Sequence, residues 1–289
     1  MKKILITGTG SHIGSSFENW ICQWNEKYLV NSIDMKEDSW KDKSFQEYDV
    51  VLHVAAIVHI RGIDEKQYFQ INRNLAVDVA SKAKEQGVKQ FVFISTMGVY
   101  GTEIGCIGPY TSASPKTPYA KSKLEAEKQL FEIGDKNFKV AVLRPPIVYG
   151  KDCKGNYPRL AQMALKLPFI PLIDNNRSMI YSDNLSEFIR LLVEHEESGL
   201  FFPQNKDYVN TSQLLALIRK AHGKKTKISS LFRPFICLGM LVSATGRKVF
   251  GSLVYDKGMP GGPETMMRGQ KIDYETVSFE ESIRKTEIS

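Results

Sequence analysis

Short, continuous apolar runs alternate with longer amphipathic stretches through the first half of the chain. Residues 3–7 (KILIT), 28–33 (YLVNSI), 49–55 (DVVLHVA), 90–95 (QFVFIS) and 138–143 (FKVAVL) read as five buried strands. Residues 67–85 place Ile71, Leu75, Val79 and Ala83 on one helical face, and residues 119–131 read as a further helix. Strands whose apolar runs do not alternate belong to sheets covered on both sides. With right-handed crossovers, the pattern predicts an α/β fold: a doubly wound parallel sheet of the Rossmann type over residues 1–145.

The pattern changes at LRPPIVYG, residues 143–150, where two prolines stop any helix. Residues 146–289 are expected to form mainly a smaller substrate-binding lobe, from which a strand or the tail can rejoin the sheet. Its predicted elements are helices near residues 184–195 and 212–221, a strand piece at FFP, a strand at GSLVYD and a final helix in SFEESIRKT. Residues 259–271 (MPGGPETMMRGQK) read as a loop. The most apolar stretch, residues 231–246, contains Arg233 and Pro234 and falls short of a bilayer span, so a packed helix of the lobe is expected, with no transmembrane segment.

Composition narrows the function classes. With 42% hydrophobic and 25% charged residues, the 289-residue chain is expected to fold rather than stay disordered. The net charge of +7 suits an anionic small-molecule substrate; the basic residues are spread out, and no zinc-finger, RNP or GXXG motif argues for nucleic acid. Cys22, Cys106, Cys153 and Cys237 form no C-x-x-C pair and only five histidines accompany them, so no metal site is expected. Scattered thiols and the absence of a recognisable signal peptide point to a cytoplasmic protein.

The candidate chemistry starts at GTGSHIG. Gly8, Gly10, Ser11, His12, Ile13 and Gly14 lie between a strand and a helix, where free N–H groups favour a pyrophosphate. Gly8 suits the tight turn and Gly14 close helix–sheet packing. Asp34, at the end of the second strand, is placed to accept from ribose hydroxyls and to repel a 2′-phosphate, favouring NAD over NADP; Lys36 nearby works the other way. Ser11 stands where a glycine is expected, and its hydroxyl can either donate to a phosphate or cap the helix. In the second constellation, Tyr119 and Lys123 share a helical face at i and i+4, where an ammonium favours the phenolate for proton transfer. Ser95 and Thr96 sit at the carboxyl edge of a strand, with Thr96 placed to donate to the reacting oxygen.

These segments, together with YDVVLHVAA, Asn72, FISTMGVYG, YAKSK, LRPPIVYG and RSMIYSDNL, resemble the extended short-chain dehydrogenase/reductase family, in its NAD-dependent epimerase/dehydratase branch acting on nucleotide sugars. The resemblance implies Thr96, Tyr119 and Lys123 as the catalytic group, with Lys123 also holding the nicotinamide ribose. It implies Ala55, Ala56, Asn72, Ser95 and Pro145 beside NAD, His53 nearby, and Arg177 on the substrate diphosphate. It further implies a homodimer through the helices at 67–85 and 119–131. The Asp-Glu pair of the family's 4,6-dehydratases is replaced by Met97 and Gly98, neither of which moves a proton. The expected activity is therefore a nucleotide-sugar 4-epimerase of the UDP-glucose/UDP-galactose type or its N-acetylated equivalent. The alternatives are an NAD(P)H-dependent 4-ketoreductase and a non-enzymatic nucleotide-binding regulator.

Overall fold

The computed structural model describes residues 1–58, 62–231 and 233–288. Four strands of the first half, β1 (Lys2–Thr7), β2 (Tyr28–Ile33), β3 (Val50–His53) and β4 (Gln90–Ile94), join Lys139–Leu143 and Gly199–Phe201 in one six-stranded sheet. Its spatial order is Gly199–Phe201, Lys139–Leu143, β4, β3, β1, β2, and every pairing is parallel. The order reverses between β1 and β3, which opens a crevice at their carboxyl ends.

The alternating pleat sorts the sheet's side chains into two cores. Ile4 and Ile6 of β1 face a layer that includes Phe17 of α1 (His12–Ile21) and Phe188 and Leu192 of α6 (Ser182–Glu194). Leu5, between them in sequence, joins Val51, Phe91 and Phe93 against α3 (Leu75–Glu85) and α4 (Pro118–Ile133). Helices therefore cover both faces. The final sheet strand and α6 come from beyond residue 146 and complete this layered unit.

The helix predicted over 67–85 begins at α2 (Glu65–Phe69) and passes through one π turn, Gln70–Asn74, before α3. The wider turn shifts the helical phase, so the buried face is Asn72, Ala76, Val79, Ala80 and Ala83, with Ile71 and Leu75 only half-buried. The second half packs α5 (Asn156–Lys166), α7 (Thr211–Ala221) and α10 (Phe279–Ile288) around Tyr149, Tyr157, Leu215 and Ile283. Helix α5 escapes the sequence pattern because it starts after Gly155, at φ 101°, without a side-chain cap and with Pro158 in its first turn. The stretch expected as a plain loop contains a two-residue antiparallel pair, Met266–Met267 with Gln270–Lys271, turned by Arg268 and Gly269 at positive φ.

Residues 231–246 depart most from expectation. They form two helices, α8 (Arg233–Val242) and α9 (Ala244–Phe250), broken where the Ser243 hydroxyl accepts from the Gly246 N–H at 3.3 Å. Leu238, Leu241 and Val242 are exposed rather than packed. Phe232 and the side chain of Cys237 lie outside the described residues; Cys22, Cys106 and Cys153 are free thiols. No described helix is long and apolar enough to cross a membrane.

Candidate active site

The glycine loop is fastened to both neighbouring strands. The N–H groups of Gly8 and Thr9 donate to the Ile33 carbonyl at 2.9 and 3.2 Å, which places Asp34 beside the loop. Gly8 has φ 120°, and a Cβ there would come within 2.7 Å of the Ala55 backbone nitrogen. Gly10, at φ 75°, has open space where its side chain would be. Gly14 presses on Val54 and Ile6 and leaves no room for a larger residue.

Ser11 caps α1: its hydroxyl accepts from the Gly14 N–H at 3.0 Å. The first-turn N–H groups of His12 and Ile13 have no carbonyl one turn earlier to bond. A left-handed turn, an open Gly10 and a capped helix start make a cradle that fits a dinucleotide's pyrophosphate. Asp34 is exposed and accepts from the Lys36 N–H at 3.0 Å. The Lys36 ammonium lies 3.9 Å from its other oxygen, a loose surface pair.

Asn72, turned inward by the π turn, holds the Ala55–Ile57 loop from beneath. Its side chain accepts from the Ile57 N–H at 2.9 Å and donates to the Ile57 carbonyl at 3.0 Å. It also donates to Ser122 of α4 at 3.2 Å. Asn72 thereby ties the β3 loop to the helix carrying Tyr119 and Lys123.

At the end of β4, the Ser95 N–H donates to the Leu143 carbonyl at 2.7 Å and the Met97 N–H to the Pro145 carbonyl at 3.0 Å. These bonds continue the sheet pairing and hold the threonine turn against the prolines. The Thr96 hydroxyl oxygen accepts from the Gly98 N–H at 3.0 Å and pairs with the Tyr119 side chain. Burial pushes the Tyr119 phenol up to about 12, partly opposed by Thr96.

Lys123 is buried, with its ammonium 2.8 Å from the Ile94 carbonyl and 4.4 Å from the Phe93 ring centroid. Desolvation lowers it to about 7 against the pull of Glu127. Burial, rather than the Lys123 charge, sets the phenol here, and the ammonium is turned to a backbone carbonyl. His53 is enclosed, with Nδ1 2.8 Å from Thr7 Oγ1 and Nε2 without a partner among the described residues; desolvation, then Lys123, lowers it to about 3.

Sequence reasoning missed the carboxylate under this group. The Ser95 hydroxyl donates to Glu127, so it is taken up inside the protein. Arg144 grips Glu127 with Nε 3.1 Å from both carboxylate oxygens and donates to the Tyr100 hydroxyl at 2.9 Å. The i+4 step from Lys123 to Glu127 was a signal, but its partner Arg144 is supplied by another strand.

Arg177 lies in the second half. Its guanidinium donates to the Gly251 carbonyl at 2.9 Å, and its backbone bridges Val209 and Leu253. Burial lowers it, and among the described residues no carboxylate pairs with it. The geometry links Thr96 with Tyr119, while Arg177 is held at Gly251, Val209 and Leu253.

Residues 4–209 match the NAD dependent epimerase/dehydratase family. The chain belongs to that family. It is 29% identical over 255 residues to a UDP-glucose 4-epimerase of Vibrio cholerae, covering 78% of this chain and 77% of the relative. It is 26% identical over 271 residues to the N-acetyl-alpha-D-glucosaminyl-diphospho-ditrans,octacis-undecaprenol 4-epimerase of Escherichia coli O157:H7, covering 85% and 81%. The fold is shared with a UDP-glucuronic acid 4-epimerase from Bacillus cereus solved with NAD, at TM-score 0.74, 19% identity and coverage of 99% and 95%. As a family member, the chain is an NAD-dependent enzyme built on a Rossmann sheet, and the cradle above fits that cofactor.

Proposed function

We propose that this enzyme inverts C4 of a hexose carried on a nucleoside diphosphate. The observation that carries the reading is the Thr96–Tyr119 pair beside buried Lys123, with Met97 and Gly98 in place of any acid–base pair. This machinery moves one proton at one hydroxyl and has no group to eliminate water. Two similar proteins named as 4-epimerases support it.

NAD, when bound, supplies the hydride acceptor and donor. Gly8, Gly10, His12, Ile13 and Gly14 would hold its pyrophosphate, Asp34 its adenosine ribose, and Ala55, Ala56 and Pro145 would line it. Lys123 would turn from Ile94 to the nicotinamide ribose. Once Lys123 has turned toward the nicotinamide ribose and favours the phenolate, Tyr119 would take the proton from the C4 hydroxyl and return it. Thr96 has its oxygen fixed by the Gly98 N–H, and its O–H, paired with Tyr119 here, would turn to donate to the reacting oxygen. Inversion requires the ring to turn while the diphosphate stays held. Arg177, buried without a carboxylate, suits that task because its planar fork matches phosphate oxygens. Asp34 supports NAD over NADP. The pairing of α4 with the π turn leaves Ile71 and Phe131 partly exposed as a surface for a homodimer.

The test is incubation of the purified enzyme and NAD with UDP-glucose, UDP-galactose and their N-acetyl forms. Interconversion of one pair is expected, and replacement Tyr119→Phe should lower it by about 10³-fold while the thermal midpoint holds. Turnover only of a 4-keto sugar with stoichiometric NAD(P)H would replace the proposal with a ketoreductase.

A further inference from the structure

Four exposed large apolar residues of the second half lie on one short stretch. Leu231, Leu238, Leu241 and Val242 are 73%, 58%, 78% and 77% exposed. Positions 238, 241 and 242 lie at i, i+3 and i+4 of α8, on one helical face, and Pro234 one turn earlier is exposed too. Exposed leucines scattered singly are ordinary; a clustered row at helical spacing marks a surface meant to be covered.

Charge says what covers it. From residue 222 to residue 252 the chain carries Lys224, Lys225, Lys227, Arg233, Arg247 and Lys248 and no aspartate or glutamate. Lys224, Lys225 and Lys227 are exposed and precede the apolar row, while Arg247 and Lys248 follow it. Of these, Arg247 and Lys248 share Glu103 from another segment, at 2.8 and 3.9 Å, which leaves the lysines before the row as the larger excess of positive charge. An apolar row within a purely basic stretch is complementary to an anionic lipid surface, where apolar insertion and headgroup attraction act together. At ten residues, α8 is too short to cross and suits lying in the interface.

The same hairpin leads into the candidate diphosphate site. Helix α9 ends at Phe250, and the next residue, Gly251, offers the carbonyl that holds Arg177 at 2.9 Å. Asn175 also donates to that carbonyl, at 3.4 Å. A surface seated on α8 is therefore one short helix away in the chain from the arginine assigned to the diphosphate.

We propose that α8 docks on an anionic bilayer and that the site takes, besides nucleotide sugars, a hexose carried on the diphosphate of a membrane lipid. The substrate half of this statement rests on the 4-epimerase reading; the docking half does not. The test uses the full chain with NAD, sedimented with vesicles of phosphatidylcholine alone or of phosphatidylcholine with phosphatidylglycerol. Co-sedimentation with the anionic vesicles, weakened by salt, is expected. The double replacement Leu238→Glu and Leu241→Glu should lower that partition by at least about tenfold.

A protein that stays in the supernatant with both vesicle types overturns the docking. So does a double variant that sediments like the parent, or light scattering showing that the two leucines hold a second copy of the chain instead. Turnover is then compared on a UDP-hexose and on a polyprenyl-diphosphate hexose in the anionic vesicles. The double variant should lose about tenfold on the vesicle-borne sugar alone. Turnover of the UDP-hexose but not the vesicle-borne sugar by the parent, or equal loss on both, overturns the substrate half. If neither sugar is turned over, the epimerase reading fails, and sedimentation still decides the docking.

Discussion

Arg144 and Arg177 are equally buried, each 7% exposed, yet they sit in opposite electrostatic settings. At the sheet's carboxyl edge, Arg144 has Glu127, Tyr100 and the stacked Tyr100 ring, and Glu127 raises its affinity for the proton against burial. In the second half of the chain, Arg177 has a backbone carbonyl and a lowered affinity caused by burial. A buried cation without a counter-charge is costly, by several kcal/mol in general. The first region satisfies its polar groups internally and becomes a rigid platform. The second leaves a buried guanidinium on a backbone carbonyl, with no carboxylate beside it among the described residues.

The platform half of the comparison breaks most severely at Glu127. Replacement Glu127→Ala leaves Arg144 buried and unpaired and frees the Ser95 hydroxyl, for an expected loss of about 3–5 kcal/mol. Urea unfolding measures it. Restoring charge balance with Arg144→Leu in the same chain should recover part of the loss; no recovery would mean that the pair is not what holds this edge together.

Arg177→Leu should behave in the opposite way. Folding stability stays level or rises, because an uncompensated charge is removed, while KM for a diphosphate-linked sugar rises about 30-fold, equivalent to about 2 kcal/mol. A fall in stability as large as that at Glu127, with KM unmoved, would make Arg177 a second structural arginine and erase the distinction.

His53 lies between the two cases, with one nitrogen bonded to Thr7 and the other unpartnered among the described residues. Its folded value of about 3 lies below its ordinary 6.5, so the unfolded chain binds more protons between those limits. Stability should therefore be undiminished by this group above pH 6.5 and fall as the pH drops through that window, by up to about 1.4 kcal/mol per pH unit. Chemical unfolding of the parent and of His53→Asn at several acid pH values checks this; identical slopes would show that His53 is not buried neutral.

The comparison also explains what the residue pattern carried and what it did not. The glycine loop, Asp34 and the Tyr119/Lys123 step are local, and the strand runs show which segments are enclosed on both faces. The Glu127–Arg144 pair joins a helix to the end of a strand 17 positions on, and the i+4 lysine that marks Glu127 is matched at Glu125 and Glu132 of the same helix. The short strands Ile147–Tyr149 and Met179–Tyr181 pair only with each other and are too brief to show a period. Leucines at helical spacing look alike whether they face a core or open surface, so 231–246 read as packed. Asn72 turns inward through a π turn that no simple periodicity anticipates.

Ser11 gives the finest division between internal and ligand-directed polar groups. Its hydroxyl accepts from the Gly14 N–H, so Ser11→Ala should cost about 1 kcal/mol through the lost cap, while Ser11→Gly should cost only a few tenths. Affinity for NAD, read by titration of tryptophan fluorescence, is expected to stay within about twofold in Ser11→Gly, since the pyrophosphate is met by backbone N–H groups rather than by this side chain. A loss of tenfold or more in Ser11→Gly, with stability unchanged, would show the hydroxyl leaving its cap for a phosphate oxygen. The serine would then belong with Arg177, among the groups proposed to meet a ligand, and the glycine loop would need its irregular residue for binding rather than for folding.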